Sequence, residues 1–419
     1  MNKEKTILFV MPRLPFPAVS GRKTSLYHYC KILSQELGYR LVVAAFLESG
    51  DDPNLKPDFI DKLVILKKPL KKEKISNIIF KSIIKGKVPL QVSLFLSKRA
   101  MNQINNLVES EKPKIIISDM VRCTEYIRDR DIYSIADLDD RISLRYKRQL
   151  NTDIDNVNPY GAFIYTIPNF LQKVALLKPL KVFVLKREIK LLDEYELEIG
   201  KSCDKTVFVA EKEVKEFNSQ LKENKAVAVP IGVDVDYFFP VKNLENRNII
   251  SFLGALNVAH NENAVINFIE NIFPLVLQKQ PDTLFSIIGG GASDKLLSYS
   301  SSNVEFTGRV DDVRDYLAKS KVFVCPMTFG SGIKTKNLEA MAMGLPVVTT
   351  TIGAENINAV NGVDWFIEDT YSGFANCILN ILNNQKLQHD MSSCARNYIL
   401  HNFTWEVAKN NFENLLNIE

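Results

Sequence analysis

Short apolar runs that end in Gly, Pro, Ser or Asp alternate along this chain with longer segments of helical period. TILFVM (6–11) is followed by KTSLYHYCKILSQEL (23–37) and then by YRLVVAAF (39–46). Such alternation predicts parallel strands covered on both faces, because each parallel crossover needs a connecting helix. Further strands are predicted at DKLVILK, KIIISD, IYSIAD and KTVFVA, with AVAVP as the last of a first series. NIISFLG restarts the pattern, followed by a helix near 262–278 and by strands at TLFSIIG, VEFTG, KVFVCP and LPVVTT. The two series meet near 230–245, where Pro230, Gly232 and Pro240 suit a linker. The segment 160–200 breaks the alternation with aromatics and lysines. It reads first as a helical cover over the first sheet and second as a surface in contact with a membrane.

Composition narrows this picture. At 419 residues, 46% hydrophobic and 24% charged, the chain is long for one domain and can bury two cores. Its six cysteines form no C-x-x-C pair, which points to neither a disulfide framework nor a zinc site and fits a reducing cytosol. The apolar stretch TILFVM is too short for a secretory signal, and AFIYTIPNFLQKVALLKPLKVFVL is interrupted by Gln172, Lys173, Lys178 and Lys181. A membrane span needs roughly 18 to 20 apolar residues, so a soluble or peripheral protein is expected. The net charge of +4 divides unevenly: residues 1–240 carry 40 Lys+Arg against 31 Asp+Glu, and the remainder 13 against 18. The first half is therefore +9 and the second −5, which suits either an anionic surface or ligand beside the first half or simply a solvated basic face.

In open parallel sheets, ligands bind at the carboxyl ends of the strands. Three loops there have suitable composition. In MPRLPFPAVSGRKTS (11–25), Ser20 and Gly21 permit close approach of backbone, and Arg22 and Lys23 add charge at a helix start. GGGAS (289–293) is either a tight turn or a phosphate cradle. In FGSGIKTKNLEAMAMGLPVVTT (329–350), a glycine loop opens a helix predicted over 333–343, with Gly344 as its stop. Lys336 and Glu339 lie three apart on one face of it. Unpaired N–H groups, the positive dipole end and lysines attract phosphates, while a carboxylate accepts from two vicinal hydroxyls. A solvated Lys–Glu pair on an ordinary βαβ unit is the other reading.

The run from VFVCP through GSGIKTKNLEAMAMGLPVVTT to IGAENI resembles the donor-site signature of family 4 retaining glycosyltransferases. FVAEKEV, PIGVDVDYFFP, FLGALN, FTGRVDDV and NFTWEVAKNNFENLL resemble that family too, strongly over 249–357 and loosely over the first 230 residues. The resemblance implies an α/β GT-B fold, two Rossmann-like doubly wound domains facing a cleft. An acceptor-binding domain is expected over 1–235 and a donor-binding domain over 236–403, with the helix 404–419 returning to the first. It implies transfer of a sugar from a nucleotide-diphosphate sugar to a glycan or lipid-linked glycan in capsule or exopolysaccharide synthesis. Neither cofactor nor essential metal is implied, and no nucleic acid. The cytoplasm is expected, with peripheral contact to the anionic inner face of the membrane. On the donor side the resemblance places Gly254, Gly330, Ser331, Gly332, Ile333, Lys334, Glu339 and Val310. It places Asp139, Lys336 and Arg309 in catalysis, and Ser20, Gly21, Arg22 and Asp137 on the acceptor side.

Three departures accompany it. Glu339 matches the second glutamate of the signature, but Ser331 stands in place of the first. Gly254 is followed by ALNVAHNENA rather than by Arg and Lys, which leaves phosphate neutralisation to Lys334, Lys336 and Arg309. The family's histidine after the fifth strand is replaced by IADLDDRISLRY, bearing Asp137, Asp139 and Asp140. Those aspartates read as a helix cap, a catalytic group or, less readily, a metal site. An epimerase or phosphorylase of the same fold and an inactive donor-binding scaffold are the rival functions.

Overall fold

The computed structural model describes residues 5–18, 21–152, 160, 164, 169, 172–173, 176–241, 247–330 and 332–417. The chain divides into two compact units, Met1–Pro230 with Ala408–Glu419, and Ile231–Val407. The division falls at Pro230, and the chain rejoins the first unit at Ala408.

Seven strands form the first sheet: β1 (Thr6–Met11), β2 (Arg40–Ala45), β3 (Lys62–Ile65), β4 (Ile115–Asp119), β5 (Tyr133–Asp139), β6 (Lys205–Phe208) and β7 (Ala226–Ala228), ordered β3-β2-β1-β4-β5-β6-β7. Every pairing is parallel. All six residues of β1 are buried, as a central strand covered on both faces requires. Leu8, Val10, Val42, Ile116 and Ala136 meet Ile104 and Leu107 of the helix Lys98–Glu111 and Leu192, Tyr195 and Ile199 of the helix Lys178–Ser202. Ser97 begins the former helix by accepting the Ala100 amide at 3.2 Å. The latter helix divides its length between two environments. Its carboxyl half enters the core, whereas Leu180 and Phe183 near its start are exposed. The helical cover expected within 160–200 is thus formed by the carboxyl half of this helix, among the described residues.

The second unit repeats the plan with β8 (Ile249–Leu253), β9 (Leu284–Ile288), β10 (Val304–Gly308), β11 (Val322–Cys325), β12 (Val347–Thr349) and β13 (Phe366–Ile367), ordered β10-β9-β8-β11-β12-β13 and again parallel. The helix expected near 262–278 starts earlier, as Ala259–Asn267, and continues through a wider turn at Phe268–Ile272 into Phe273–Leu277. Thr335–Ala342 is helical and ends before Gly344, whose φ of +70° closes it. In each sheet the connections reverse direction at one place, between β1 and β4 and between β8 and β11. That switch point opens a crevice at the carboxyl edge.

Candidate functional site

Each sheet presents one group of polar side chains at its carboxyl edge. In the second unit the strand β8 runs into Gly254, and β11 into the loop of Gly330 and Gly332. Those two glycines have φ of +124° and +76°, which side-chain-bearing residues rarely adopt. Gly332 N–H donates to the Glu355 carboxylate at 3.0 Å, and Lys334 Nζ, itself buried, donates to Gly332 O at 2.7 Å. Lys334 therefore holds its own loop. Ile333 packs at the margin of the core, as does Val310.

Lys336, on the first turn of the helix Thr335–Ala342, reaches across the switch point. Its Nζ donates to Asn261 Oδ1 at 2.6 Å, and Asn261 Nδ2 donates in turn to Ala255 O at 2.9 Å. The ammonium lies 4.2 Å from the centre of the Phe252 ring. A Cβ on Gly254 would stand 2.8 Å from Lys336 Nζ and 2.9 Å from Asn261 Nδ2, so this glycine keeps the place open for the cation. Burial lowers the Lys336 pKa. His260, half-buried beside it, is pushed down to about 4 by burial and by Lys336 and Lys334, which leaves it neutral near pH 7. The GGGAS run serves close packing: a Cβ on Gly289 would lie 2.0 Å from Gly254 O, and one on Gly290 3.2 Å from the Arg309 Cβ. Arg309 is exposed at the end of β10, on this same edge.

Glu339 sits one turn further along the helix, half-buried. Burial pushes its carboxyl up to about 7, against the opposing pull of Lys336. No ion pair joins Lys336 to Glu339, and no hydrogen bond engages the Glu339 carboxylate, among the described residues. The solvated Lys–Glu pair is thus not formed; the cation is committed to Asn261 and the carboxylate is an open acceptor. Buried Asn337, between them, holds Gly353 O at 2.9 Å. Ser331 lies outside the described residues.

The edge of the first sheet has the opposite character. Arg22, in the first turn of the helix Gly21–Lys31, donates through Nε to Asp119 Oδ1 at 2.9 Å, and through its terminal nitrogens to Asp137 Oδ2 at 2.7 Å and Asp139 Oδ1 at 3.0 Å. Asp119 ends β4, whereas Asp137 and Asp139, two apart and so on one face, end β5, where the register shifts between them and Asp139 has a φ of +67°. Three carboxylates share one guanidinium. Burial pushes Asp137 up to about 7 and Asp119 upward, with Arg22 opposing and the neighbouring aspartates adding to the rise. Asp119 Oδ2 is buried without a hydrogen-bond partner among the described residues. Asp140 pairs with Arg145 at 3.4 Å. The helix Ile142–Thr152 has its Ser143 amide taken by Glu196 at 3.0 Å, a buried carboxylate from the long helix. Among the described residues no group of three or more His, Cys, Asp and Glu side chains is placed to hold a metal ion; the guanidinium stands where the aspartates converge. Gly21 is exposed with open space around it, and Ser20 lies outside the described residues.

Sequence reasoning missed Asn261, His260, Glu355 and Asp119. Asp119 carried a usable signal, since KIIISD closes an apolar strand on an aspartate as IYSIAD does.

Residues 247–384 match the family described as glycosyl transferases group 1. The chain is 27% identical over 217 residues to an uncharacterized 44.6 kDa protein in the cps region of Klebsiella pneumoniae, covering 49% of this chain and 54% of that one. It thus spans about half the length of that relative. It is 22% identical over 322 residues to the capsular polysaccharide biosynthesis glycosyltransferase CapM of Staphylococcus aureus, covering 69% of this chain and 83% of that one. The structure of Anabaena HepE in complex with UDP superposes with a TM-score of 0.61 at 12% identity, over 98% of this chain and 99% of that one. The fold is GT-B.

Proposed function

We propose that this protein, whose second unit matches the group 1 glycosyl transferases, is a retaining glycosyltransferase of cell-surface polysaccharide synthesis. It moves a sugar from a nucleotide-diphosphate sugar to a glycan or lipid-linked glycan acceptor. One observation carries the reading: Lys336 held over the β8–β11 switch point beside Gly254, with the open Glu339 carboxylate one turn away. The glycine loop and the first-turn amides receive the diphosphate, Lys336 with Arg309 neutralises it, and Glu339 accepts the ribose hydroxyls.

In the reaction, the bond from the sugar's anomeric carbon to the diphosphate oxygen breaks, and a bond from the acceptor oxygen forms on the same face. The acceptor proton leaves with the departing diphosphate. Negative charge grows on that leaving group, so a cation already in place lowers the barrier. Lys336, pinned by Asn261 before any ligand arrives, needs no reorganisation. Cations and amides supply this term without a cofactor or an essential metal. Asp139, on the carboxyl edge of the first sheet, is assigned to catalysis, with Asp137 and Arg22 beside it on the acceptor side. A nucleotide-sugar donor makes the cytoplasm the expected compartment, and nothing in this reading involves nucleic acid.

The test is a thermal-shift screen of nucleotide sugars followed by product analysis. A ligand at 100 times its Kd stabilises by about 2.7 kcal/mol, a readily measured shift. Interconversion of a nucleotide sugar without acceptor would indicate an epimerase, and binding without transfer or slow hydrolysis a scaffold; either result overturns the proposal.

A further inference from the structure

The first unit carries an apolar face that stays exposed among its described residues. From Lys67 to Lys87 the chain reads KKPLKKEKISNIIFKSIIKGK, eight lysines against one glutamate. The helix Lys71–Ser76 buries none of its residues, and its continuation Asn77–Ile84 buries only Asn77 and Ser82. The usual arrangement is inverted. Asn77 Nδ2 donates to Leu96 O at 2.9 Å and Ser82 Oγ meets Ser93 Oγ at 2.8 Å, so polar groups fix the inner side of the helix. Phe80, Ile83 and Ile84 then stand 56%, 55% and 66% exposed on the outside.

A second strip adjoins this one at the start of the helix Lys178–Ser202, where Leu177 and Phe183 are 57% and 63% exposed. Arg187 joins the two helices by donating to Ser82 O at 3.0 Å and Ile83 O at 2.7 Å. Ile83 and Phe183 line one apolar groove of about 280 Å³ with Leu90 and Leu94, so the strips form a continuous surface. Contiguous exposed apolar surface of this kind marks an interaction site.

We infer that this face docks on an anionic lipid bilayer, with Phe80, Ile83, Ile84, Leu177 and Phe183 entering the hydrocarbon boundary and the lysines meeting the headgroups. Charge selects this occupant. Protein interfaces are depleted in lysine, and a second copy of the chain would set one lysine-rich rim against another. An interfacial helix combines apolar residues on one side with lysines flanking them, and its attraction to anionic lipid adds to the apolar term. No helix among the described residues is long and apolar enough to cross a membrane, so the contact is with the surface layer. The inference stands apart from sugar transfer, though a lipid-linked acceptor would give it a purpose.

The experiment is co-sedimentation of the full chain with vesicles of phosphatidylcholine alone and of phosphatidylcholine mixed with phosphatidylglycerol. Binding to the mixed vesicles is expected to be at least about tenfold stronger and to weaken with salt. Phe80→Ser with Ile84→Ser, and separately Lys71→Glu with Lys85→Glu, should each reduce it about tenfold or more while thermal unfolding and binding of the nucleotide sugar found in the thermal-shift screen stay unchanged. Equal binding to neutral and mixed vesicles, or full binding by the Phe80→Ser/Ile84→Ser variant, overturns the inference. So does a dimer in light scattering that those substitutions dissolve. Vesicle binding by a protein that binds none of the nucleotide sugars in the thermal-shift screen would support docking and count against the sugar-transfer reading alone.

Discussion

The two sheets share a strand order around their switch points and place opposite chemistry there. Behind β8 and β11 stand a lysine on an asparagine, loops of glycine and one open carboxylate. Behind β1, β4 and β5 stand three aspartates around one arginine. The contrast runs against net charge, since the half with the acidic cluster is the basic one, +9, and the half with the cationic edge is −5. Net charge is set by the many solvated side chains, and a site by the few that topology brings together. The excess lysine of the first half belongs largely on its outer helices, of which Lys67–Lys87 is the densest part.

The comparison breaks most visibly at Arg22. Arg22→Met leaves Asp119, Asp137 and Asp139 facing one another without the guanidinium they share, and removing one partner of a buried ion cluster costs about 3–5 kcal/mol. Thermal unfolding should detect this as a large fall in Tm. Its pH dependence follows from the direction of the shifts. Asp137 already has a folded pKa raised to about 7, so its protonated form is favoured on folding and stability falls as pH rises from the ordinary carboxylate range through 7. Without Arg22 that pKa moves higher still. The variant should therefore lose more stability, relative to the parent, at pH 8 than at pH 5.5; a Tm deficit equal at both pH values would show that the cluster's charge is not what Arg22 balances.

A smaller effect separates catalysis from binding on the other edge. Lys336→Met should lower the turnover number about 100-fold to 1,000-fold, the usual range for a pre-placed group at a developing anion, with little change in donor affinity. Steady-state kinetics with separate measurement of donor Kd checks it. Equal losses in affinity and rate would mean that Lys336 binds ground state and transition state alike.

Much of this fold was legible in the chain because buried strands are apolar runs with polar ends. β13, Phe366–Ile367, escaped notice, being two half-buried residues within DWFIED with too little apolar length to stand out. The wider turns at Ile32–Glu36 and Phe268–Ile272 also left no pattern that differs from ordinary helix. At the site, the parts on one segment could be read together: the glycine loop, Lys336 and Glu339 lie within eleven residues of sequence. Partnerships between segments could not. Asn261 becomes the anchor of Lys336 only because β8 and β11 are neighbours, and Asp119 joins Asp137 and Asp139 only because β4 lies between β1 and β5. Strand order is a tertiary result, and periodicity does not encode it.

The most direct measurement is calorimetric titration of the nucleoside diphosphate whose sugar conjugate gives the largest thermal shift into the parent and into Glu339→Gln at pH 6 and pH 8. Hydrogen bonds to a charged acceptor contribute about 1.5 to 3 kcal/mol, so the substitution should weaken binding at pH 8 about tenfold to a hundredfold. With the carboxyl pushed up to about 7, binding that needs the ionised form should weaken in the parent from pH 8 to pH 6, by up to about tenfold per unit below the pKa. The part of that pH dependence due to Glu339 should be lost in Glu339→Gln, whose amide does not titrate, leaving only the contribution of the ligand's terminal phosphate, which titrates near about 6. If the substituted protein instead binds that nucleotide as tightly as the parent at both pH values, the nucleotide does not lie on Glu339 and the second sheet's edge is not the donor site.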